Sequence, residues 1–457
     1  MFKSYKNPYY NRRRQRFAFP WKLIAFIIVG LIVLELLTRL FLGLTTPRET
    51  SPEILNAYQY QVVNREQEPI AGLPQKGELA IQPSLGVGYQ LVGDQESAYW
   101  TINQDRFRDE REIPRDKPAN EIRIFLLGGS AAFGQWLSSQ NDTLSHYLER
   151  RINERLEQQQ RSPEKYRPPS LPFDATGRAN ALALPPRIRS GEYRVINAAV
   201  PGYASGNELA QLALKILPYK PDVVVLLDGY EDIMLPHEQE AVQIPQMEAF
   251  LNDPPAHFWA YLTQPVKRFF GNTTLLQAIA NLFGQPPSAY EQRSLVLVGD
   301  DSQPLVEHLP GNEEELEQRL ARYRQNIIQM VQLCAGANVP LVVALQPEIT
   351  GISEEQLNLE VKAPERAIVE QLGTDYVEQA RQAFRRLGEV NDQIGAAFPR
   401  NVKILNYYQL FDRLSDVAFQ DAVHLNAKGN STLAERFYNA ISTLPRIQVQ
   451  IEDPLAR

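Results

Sequence analysis

Two stretches far apart in the chain hold the side chains best suited to chemistry. The run "RIFLLGGSAAFG" (123–134) ends an apolar stretch on Gly128 and Gly129 and delivers Ser130 to a tight turn. A hydroxyl at the carboxyl end of a strand can serve as a nucleophile, but glycine turns of this kind also bind phosphate or cap a helix, so the serine's role stays open at this point. No Walker lysine follows, and Gly128, Gly129 and Gly134 do not complete a dinucleotide fingerprint. The second stretch, "FQDAVHLNAKGNSTLAERF" (419–437), sets Asp421 three residues before His424, just ahead of a helical pattern. In a turn at that spacing a carboxylate can accept from one imidazole N–H, fix the tautomer and support the imidazolium while the other ring nitrogen faces outward. A serine needs such a base because its hydroxyl is a poor nucleophile at neutral pH. His146, His237, His257 and His308 have no acid so placed and are expected in packing or solvated roles. Apart from Asp421 and His424 no His/Cys/Asp/Glu cluster has ligand spacing, so neither a metal nor a cofactor is expected.

The elements that must position these residues are legible from periodicity. "EIRIFLLGG" (121–129), "EYRVINAAV" (192–200), "PDVVVLLDG" (221–229), "VPLVVALQP" (339–347) and "NVKILNYYQ" (401–409) are short runs rich in Val, Ile and Leu. Helical patterns cover Thr143–Gln159, Glu208–Leu217, Glu313–Gly336, Asp375–Ala397 and Ala427–Leu444. Strands that alternate with helices predict an α/β fold, a parallel sheet with helices on both faces. Two inserts interrupt the alternation. Residues 158–191 have the Pro/Ser/Arg composition of an exposed loop, and 235–310 mixes helix and loop character with Phe250, Phe258, Trp259, Tyr261, Phe269 and Phe270. The second insert follows a strand end, where open sheets bind ligands, so it reads either as a cap over a substrate or as a peripheral hairpin that buries its own aromatics. Ahead of the alternation, 45–120 is rich in Pro, Gln and turn residues, with "GVGYQLV" and "SAYWTIN" suggesting small strands; it reads as a stalk and a β-rich lead-in.

Composition bounds the rest. The 457-residue chain is 44% hydrophobic and 22% charged, enough to bury a core, and its single cysteine, Cys334, excludes an internal disulfide. That cysteine lies among apolar residues at helical spacing and is expected to be a packed core thiol. Residues 1–44 carry eight Lys/Arg against Glu35 alone, a charge of +7, which leaves −14 on the remainder. Within them, Leu23 to Leu44 is apolar except for Glu35, Thr38 and Arg39. About 20 helical residues cross a ~30 Å hydrocarbon layer, so 23–44 is expected to span a membrane. Glu35 and Arg39 stand i,i+4 near one end of the span, where pairing and snorkelling reduce their cost, or where they meet a partner helix. No small-x-small cleavage site follows, so an uncleaved anchor is expected, with the basic tail 1–22 in the cytoplasm and the acidic bulk outside it. That acidic bulk has no basic patch suited to nucleic acid.

Four segments together resemble a known family. "FLLGGSAAFG", "NAAVPGYASGNEL", "VVLLDGYEDI" and "DAVHLNAKGN" are similar, in order and spacing, to the four signature blocks of the SGNH hydrolases, also called the GDSL esterase/lipase family. The resemblance covers residues 121–445, leaves 446–457 as a tail, and implies a flavodoxin-like three-layer α/β/α sandwich. The N-terminal anchor is similar to that of bacterial members tethered to the inner membrane and acting outside the cytoplasm. Carried over position by position, it implies Ser130 as nucleophile, His424 as general base and Asp421 as its orienting acid. It further implies an oxyanion hole that includes the backbone N–H groups of Ser130 and Gly202. The implied substrate class is an O-acetylated cell-envelope or exported polysaccharide. A lipid ester would call instead for an apolar slot, and acyl transfer for exclusion of water from the acyl-enzyme.

This sequence departs from the family pattern in two places. Gly129 and Ala131 flank the nucleophile where the family name motif has Asp and Leu. More seriously, Glu231 in "DGYEDI" stands where the family has an oxyanion-donating asparagine. An ionised carboxylate has no donor and repels developing negative charge, and losing one such donor costs ~3–4 kcal/mol. Three accounts follow. Burial could keep Glu231 protonated and donating; Glu231 could point elsewhere while another group such as Asn207 serves; or the site could have drifted from hydrolysis toward a binding or scaffold role.

Overall fold

The computed structural model describes residues 53–70, 73, 77–244 and 304–455. The basic tail 1–22, the expected anchor 23–44 and most of the 235–310 insert lie outside the described residues. Among the described residues no helix is long and apolar enough to cross a membrane.

The N-terminal part starts with a short helix α1 (Glu53–Tyr58) and a three-stranded sheet, β1 (Tyr60–Val62), β2 (Leu79–Ser84) and β3 (Gly88–Leu91). A small antiparallel pair follows, β4 (Gln95–Glu96) and β5 (Thr101–Ile102). Alternating burial along β1 and β3 puts Tyr60, Val62, Tyr89 and Leu91 inward. These side chains join the same hydrophobic core as the main sheet, so this lead-in packs as a brace rather than as a free stalk.

The main sheet has five strands, β6 (Glu121–Gly128), β7 (Glu192–Asn197), β8 (Val223–Asp228), β9 (Leu341–Leu345) and β10 (Val402–Asn406), in the order β10-β9-β8-β6-β7 and all parallel. Every residue of β6, β8 and β9 is buried, which is why their sequences read as continuous apolar runs and not as alternating ones. Each fully buried Ile, Leu, Val or Phe adds about 1.5–3 kcal/mol, so these central strands anchor the fold.

Helices cover both faces. The turn after β6 forms α2 (Ser130–Phe133), after which α3 (Leu144–Arg161) starts on a Thr143 cap that accepts from the His146 N–H. Then come α4 (Ala175–Ala183), α5 (Ser205–Gln211), α6 (Tyr230–Met234), α7 (Glu313–Gly336), α8 (Thr374–Ala397) and α9 (Ala427–Ile441). Helix α3 packs on α9 and β7, whereas α7 packs on α5 and α8. The pattern at Glu208–Leu217 is helical with a change of pitch: α5 ends at Gln211 and a π-type turn occupies Leu212–Ile216. Cys334 is fully buried on α7, and burial pushes its thiol up to about 12, as a core role requires.

The 158–191 insert departs from the loop expected of its composition. It contains α4, capped by Asp174 accepting from Gly177 N–H at 2.7 Å, and it binds the C-terminal tail. Leu171 N–H donates to Glu452 O, Arg189 N–H to Ile447 O, and Arg178 grips Asp453 with both terminal nitrogens.

Candidate active site

The strand order reverses direction between β6 and β8, and in doubly wound sheets ligands bind at that switch point, beyond the carboxyl ends. Ser130 follows β6 and Glu231 follows β8, so the two flank the crevice. The turn into α2 is possible only for glycine at position 128, where φ is +149° and a Cβ would come within 2.3 Å of the Leu227 carbonyl oxygen. The far end of α2 is tied down. Arg108 Nη1 donates to Phe133 O and Gly134 O at 3.0 and 2.8 Å, and Asn197 Nδ2 donates to Ala132 O and Phe133 O at 3.2 Å each.

Asp421 and His424 meet as their spacing predicts. Asp421 Oδ2 lies 2.7 Å from His424 Nδ1, while Oδ1 accepts from the backbone N–H of His424 at 2.8 Å and of Val423 at 3.1 Å. Burial pushes the Asp421 carboxyl up, but the adjacent imidazole and these hydrogen bonds outweigh it and hold the group below its ordinary value. An ionised Asp421 accepts a hydrogen bond from Nδ1–H, which fixes that tautomer and leaves the lone pair on Nε2. That Nε2 is buried and has no hydrogen-bond partner among the described residues. Trp136 stands edge-on to the imidazole, with ring centres 6.1 Å apart.

The loop that carries the pair rests on a buried ion pair that sequence reading missed. Lys362 and Glu365 meet at 2.7 Å with both side chains fully buried. Glu365 Oε1 accepts from Ala418 and Phe419 N–H, and Lys362 Nζ donates to Asp416 O. Nothing in the local sequence signals this, because Lys and Glu at i,i+3 look like any solvated helix pair.

Glu231 settles against the serine. Its Oε1 accepts from both Ser130 N–H and Ser130 Oγ–H, each at 3.0 Å, and its Oε2 is buried without a partner. Burial raises the Glu231 carboxyl; the Ser130 hydrogen bonds and the nearby His424 only partly offset this. The contact also explains Gly129. A Cβ there would lie 2.1 Å from Glu231 Oε1 and would have to push that carboxyl off Ser130, which ties the Gly129 departure to the Glu231 one.

The account that made Asn207 the substitute oxyanion donor is corrected. Its Nδ2 donates to Val87 O and Val242 O, and its Oδ1 accepts from Ala204 and Val242 N–H, so its amide is consumed in tying the lead-in and the 242 region to α5. Gly202 is different. It is buried with φ +78°, and its N–H has no acceptor among the described residues. Next to it, Asp232 accepts from Ser205 N–H and Oγ–H at 2.8 and 2.6 Å, which joins the turn after β7 to α6.

Ser130, Glu231, Asp421 and His424 are all buried, Ser130 and His424 only 3% and 1% exposed, and His424 is near enough to Glu231 to act on its carboxyl. The Ser130 hydroxyl donates to Glu231 Oε1, a contact it must give up before its proton can pass to any other base. Among the other described histidines, His237 lies 3.5 Å from the exposed Glu238. A separate cavity of about 670 Å³ lies beside α8 and β10, lined by Arg381, Phe384 and Tyr408, and none of the four residues above borders it.

Residues 124–437 match the model of the GDSL-like lipase/acylhydrolase family. Among solved structures the chain is similar to a lipase/acylhydrolase from Enterococcus faecalis, at 14% identity over 72% of this chain and 98% of that one, with a TM-score of 0.33. It is also similar to a GDSL-like lipase from Bacteroides thetaiotaomicron, at 11% identity over 70% and 87%, TM-score 0.29. An acetyl xylan esterase is similar at 14% identity over 70% and 100%, TM-score 0.29. No curated protein matches.

Proposed function

Because the chain belongs to the GDSL-like lipase/acylhydrolase family, a family of ester hydrolases, we propose that it cleaves O-acyl esters through a Ser130 acyl-enzyme. One observation carries the reading: His424 is oriented by a buried Asp421 at 2.7 Å and keeps its other ring nitrogen without a hydrogen-bond partner among the described residues.

The steps follow from those residues. Ser130 Oγ turns from Glu231 toward His424 Nε2, gives up its proton there and bonds to the acyl carbon. The carbonyl π pair moves onto oxygen, where Gly202 N–H and the proton of a neutral Glu231 can donate to it. Collapse breaks the bond to the leaving alcohol, which takes the proton from His424. A second acceptor, water for hydrolysis or a sugar hydroxyl for transfer, then repeats the sequence and frees Ser130.

The substrate reading is an acetylated cell-envelope or exported polysaccharide, with the enzyme tethered through 23–44 to a bacterial inner membrane and its main domain outside the cytoplasm. The +7 charge of residues 1–44 and the apolar run from Leu23 to Leu44 support the tether. A second reading has one specific observation in its favour. Glu231 already occupies both the N–H and the hydroxyl of Ser130, as it would in a fold retained for binding or scaffolding.

Full-length protein in detergent, treated with a serine-reactive fluorophosphonate between acidic and neutral pH, separates the two. Labelling that disappears in Ser130→Ala and in His424→Ala is the expected result; a folded protein that never labels supports the binding role.

A further inference from the structure

The Pro201 carbonyl and the Gly202 N–H belong to one planar trans peptide, in which C=O and N–H point in opposite directions. Whatever fixes the oxygen therefore aims the hydrogen. Two phenols do so. Tyr60 Oη donates to Pro201 O at 2.5 Å, and Tyr89 Oη donates to the same oxygen at 2.7 Å. Both come from the N-terminal sheet, Tyr60 at the start of β1 and Tyr89 within β3, and both lie outside the 124–437 segment that carries the family match. They are held rigidly. The Tyr89 ring packs edge-on against Tyr60, with centres 5.8 Å apart, and against Tyr203, with centres 5.3 Å apart; Tyr203 Oη in turn donates to Tyr89 O.

On the opposite side of that peptide the buried Gly202 N–H has no acceptor among the described residues, which is an expensive state for a backbone donor unless a ligand oxygen is its partner. We propose that Tyr60 and Tyr89 are positioning residues that aim the Gly202 N–H at the acyl oxygen and strengthen it as a donor. Two hydrogen bonds accepted by the carbonyl draw electron density from the amide and polarise its N–H, and chains of such bonds reinforce one another in a buried site. The hydroxyls stay protonated as the task demands, since burial first, and the neighbouring Glu231 as well, push both above the ordinary tyrosine value. The inference rests on the esterase reading above and extends it: the lead-in ahead of the family domain completes the oxyanion site.

The test uses full-length protein in detergent, with Tyr60→Phe, Tyr89→Phe and the double variant. Tyr193→Phe serves as control, because it loses a similarly buried hydroxyl that donates to Arg189 O at the opposite end of β7. Turnover is measured on p-nitrophenyl acetate and on its thionoacetate, whose sulfur is a poor hydrogen-bond acceptor. Loss of a whole oxyanion donor costs ~10²–10³ in kcat, so misaiming one should cost ~10–100-fold in the double variant and several-fold in each single one. KM should stay within about twofold, the thiono rate should fall less than the oxygen-ester rate, and melting temperatures should match that of Tyr193→Phe. An oxygen-ester kcat at the wild-type level, or equal losses on both esters, overturns the proposal while leaving the esterase reading intact. A wild-type protein that neither turns over the ester nor labels overturns that reading, and this inference falls with it.

Discussion

Replacing Glu231 by glutamine should remove the alkaline limb of the pH–rate profile. In its neutral form Glu231 can accept at Oε1 from Ser130 and donate from the unpartnered Oε2; ionised, it has no proton to give and sets a negative charge beside the developing oxyanion. Each effect is large: loss of one oxyanion donor costs ~3–4 kcal/mol, and two unit charges about 4 Å apart repel by ~4 kcal/mol at an effective dielectric of 20. Either alone reduces the rate by at least a hundredfold, so turnover should follow the protonated fraction. The sign is set by burial, which raises the carboxyl above 4.5 and outweighs the Ser130 hydrogen bonds and His424. Tyr60 and Tyr89 from the lead-in, Glu208 from α5 and Asp228 at the end of β8 also face it. Burial, with mutual repulsion adding to it, pushes Glu208 and Asp228 well up as well. Glu231 therefore stays neutral to higher pH than an ordinary glutamate and loses its proton as pH rises through the elevated value. Stability runs the same way, with the contribution present at low pH lost as pH rises through the folded-state value. With p-nitrophenyl acetate, kcat/KM from pH 4.5 to 9 should fall tenfold per unit on the alkaline side in the wild type and stay flat in Glu231→Gln. Along the wild-type alkaline limb the variant should exceed the wild type by a factor that grows with pH. Glu231→Asn should extend activity upward in the same direction. A Glu231→Gln profile with the wild-type alkaline limb, or a wild-type optimum at alkaline pH, would refute the reasoning.

Gly129→Ala should displace Glu231 from Ser130 and abolish fluorophosphonate labelling, because the new Cβ would sit 2.1 Å from Oε1. Combined with the shorter Glu231→Asn, it should recover at least about tenfold, the mark of coupled neighbours; strictly additive losses would show that the two positions do not interact. Lys362→Met leaves Glu365 charged and fully buried, so denaturant unfolding should lose ~3–5 kcal/mol, and a loss below ~1 kcal/mol would count against the ion pair as the anchor of the His424 loop.

The five strands could be read from sequence because each is a short β-branched run bounded by helical periodicity, and full burial erased the alternation that would have marked an exposed face. Asp421 and His424 were legible because three residues of separation suffice to bring them together. Glu231 was legible as an anomaly, but its partnership with Gly129 was not, since that pairing depends on side-chain direction across two strand ends. Asn207 was read as a spare donor because its amide looks free in sequence; its four hydrogen bonds reach Val87, Ala204 and Val242, contacts that only the packed lead-in creates. Tyr60 and Tyr89 carry no signal of their contact with Pro201 for the same reason. The 158–191 insert was misread through its prolines, although Asp174 ahead of "ATGRANALA" is a helix cap in plain view.

The Tyr60–Pro201 contact spans 141 residues, the Tyr89–Pro201 contact 112, and the Ser130–Glu231 contact 101. Each closes a long chain loop whose entropy must be met before the contact gives anything back. In chain order Tyr60 precedes all five strands of the main sheet and His424 follows them, so in the proposed mechanism the base is made only after every strand of that sheet.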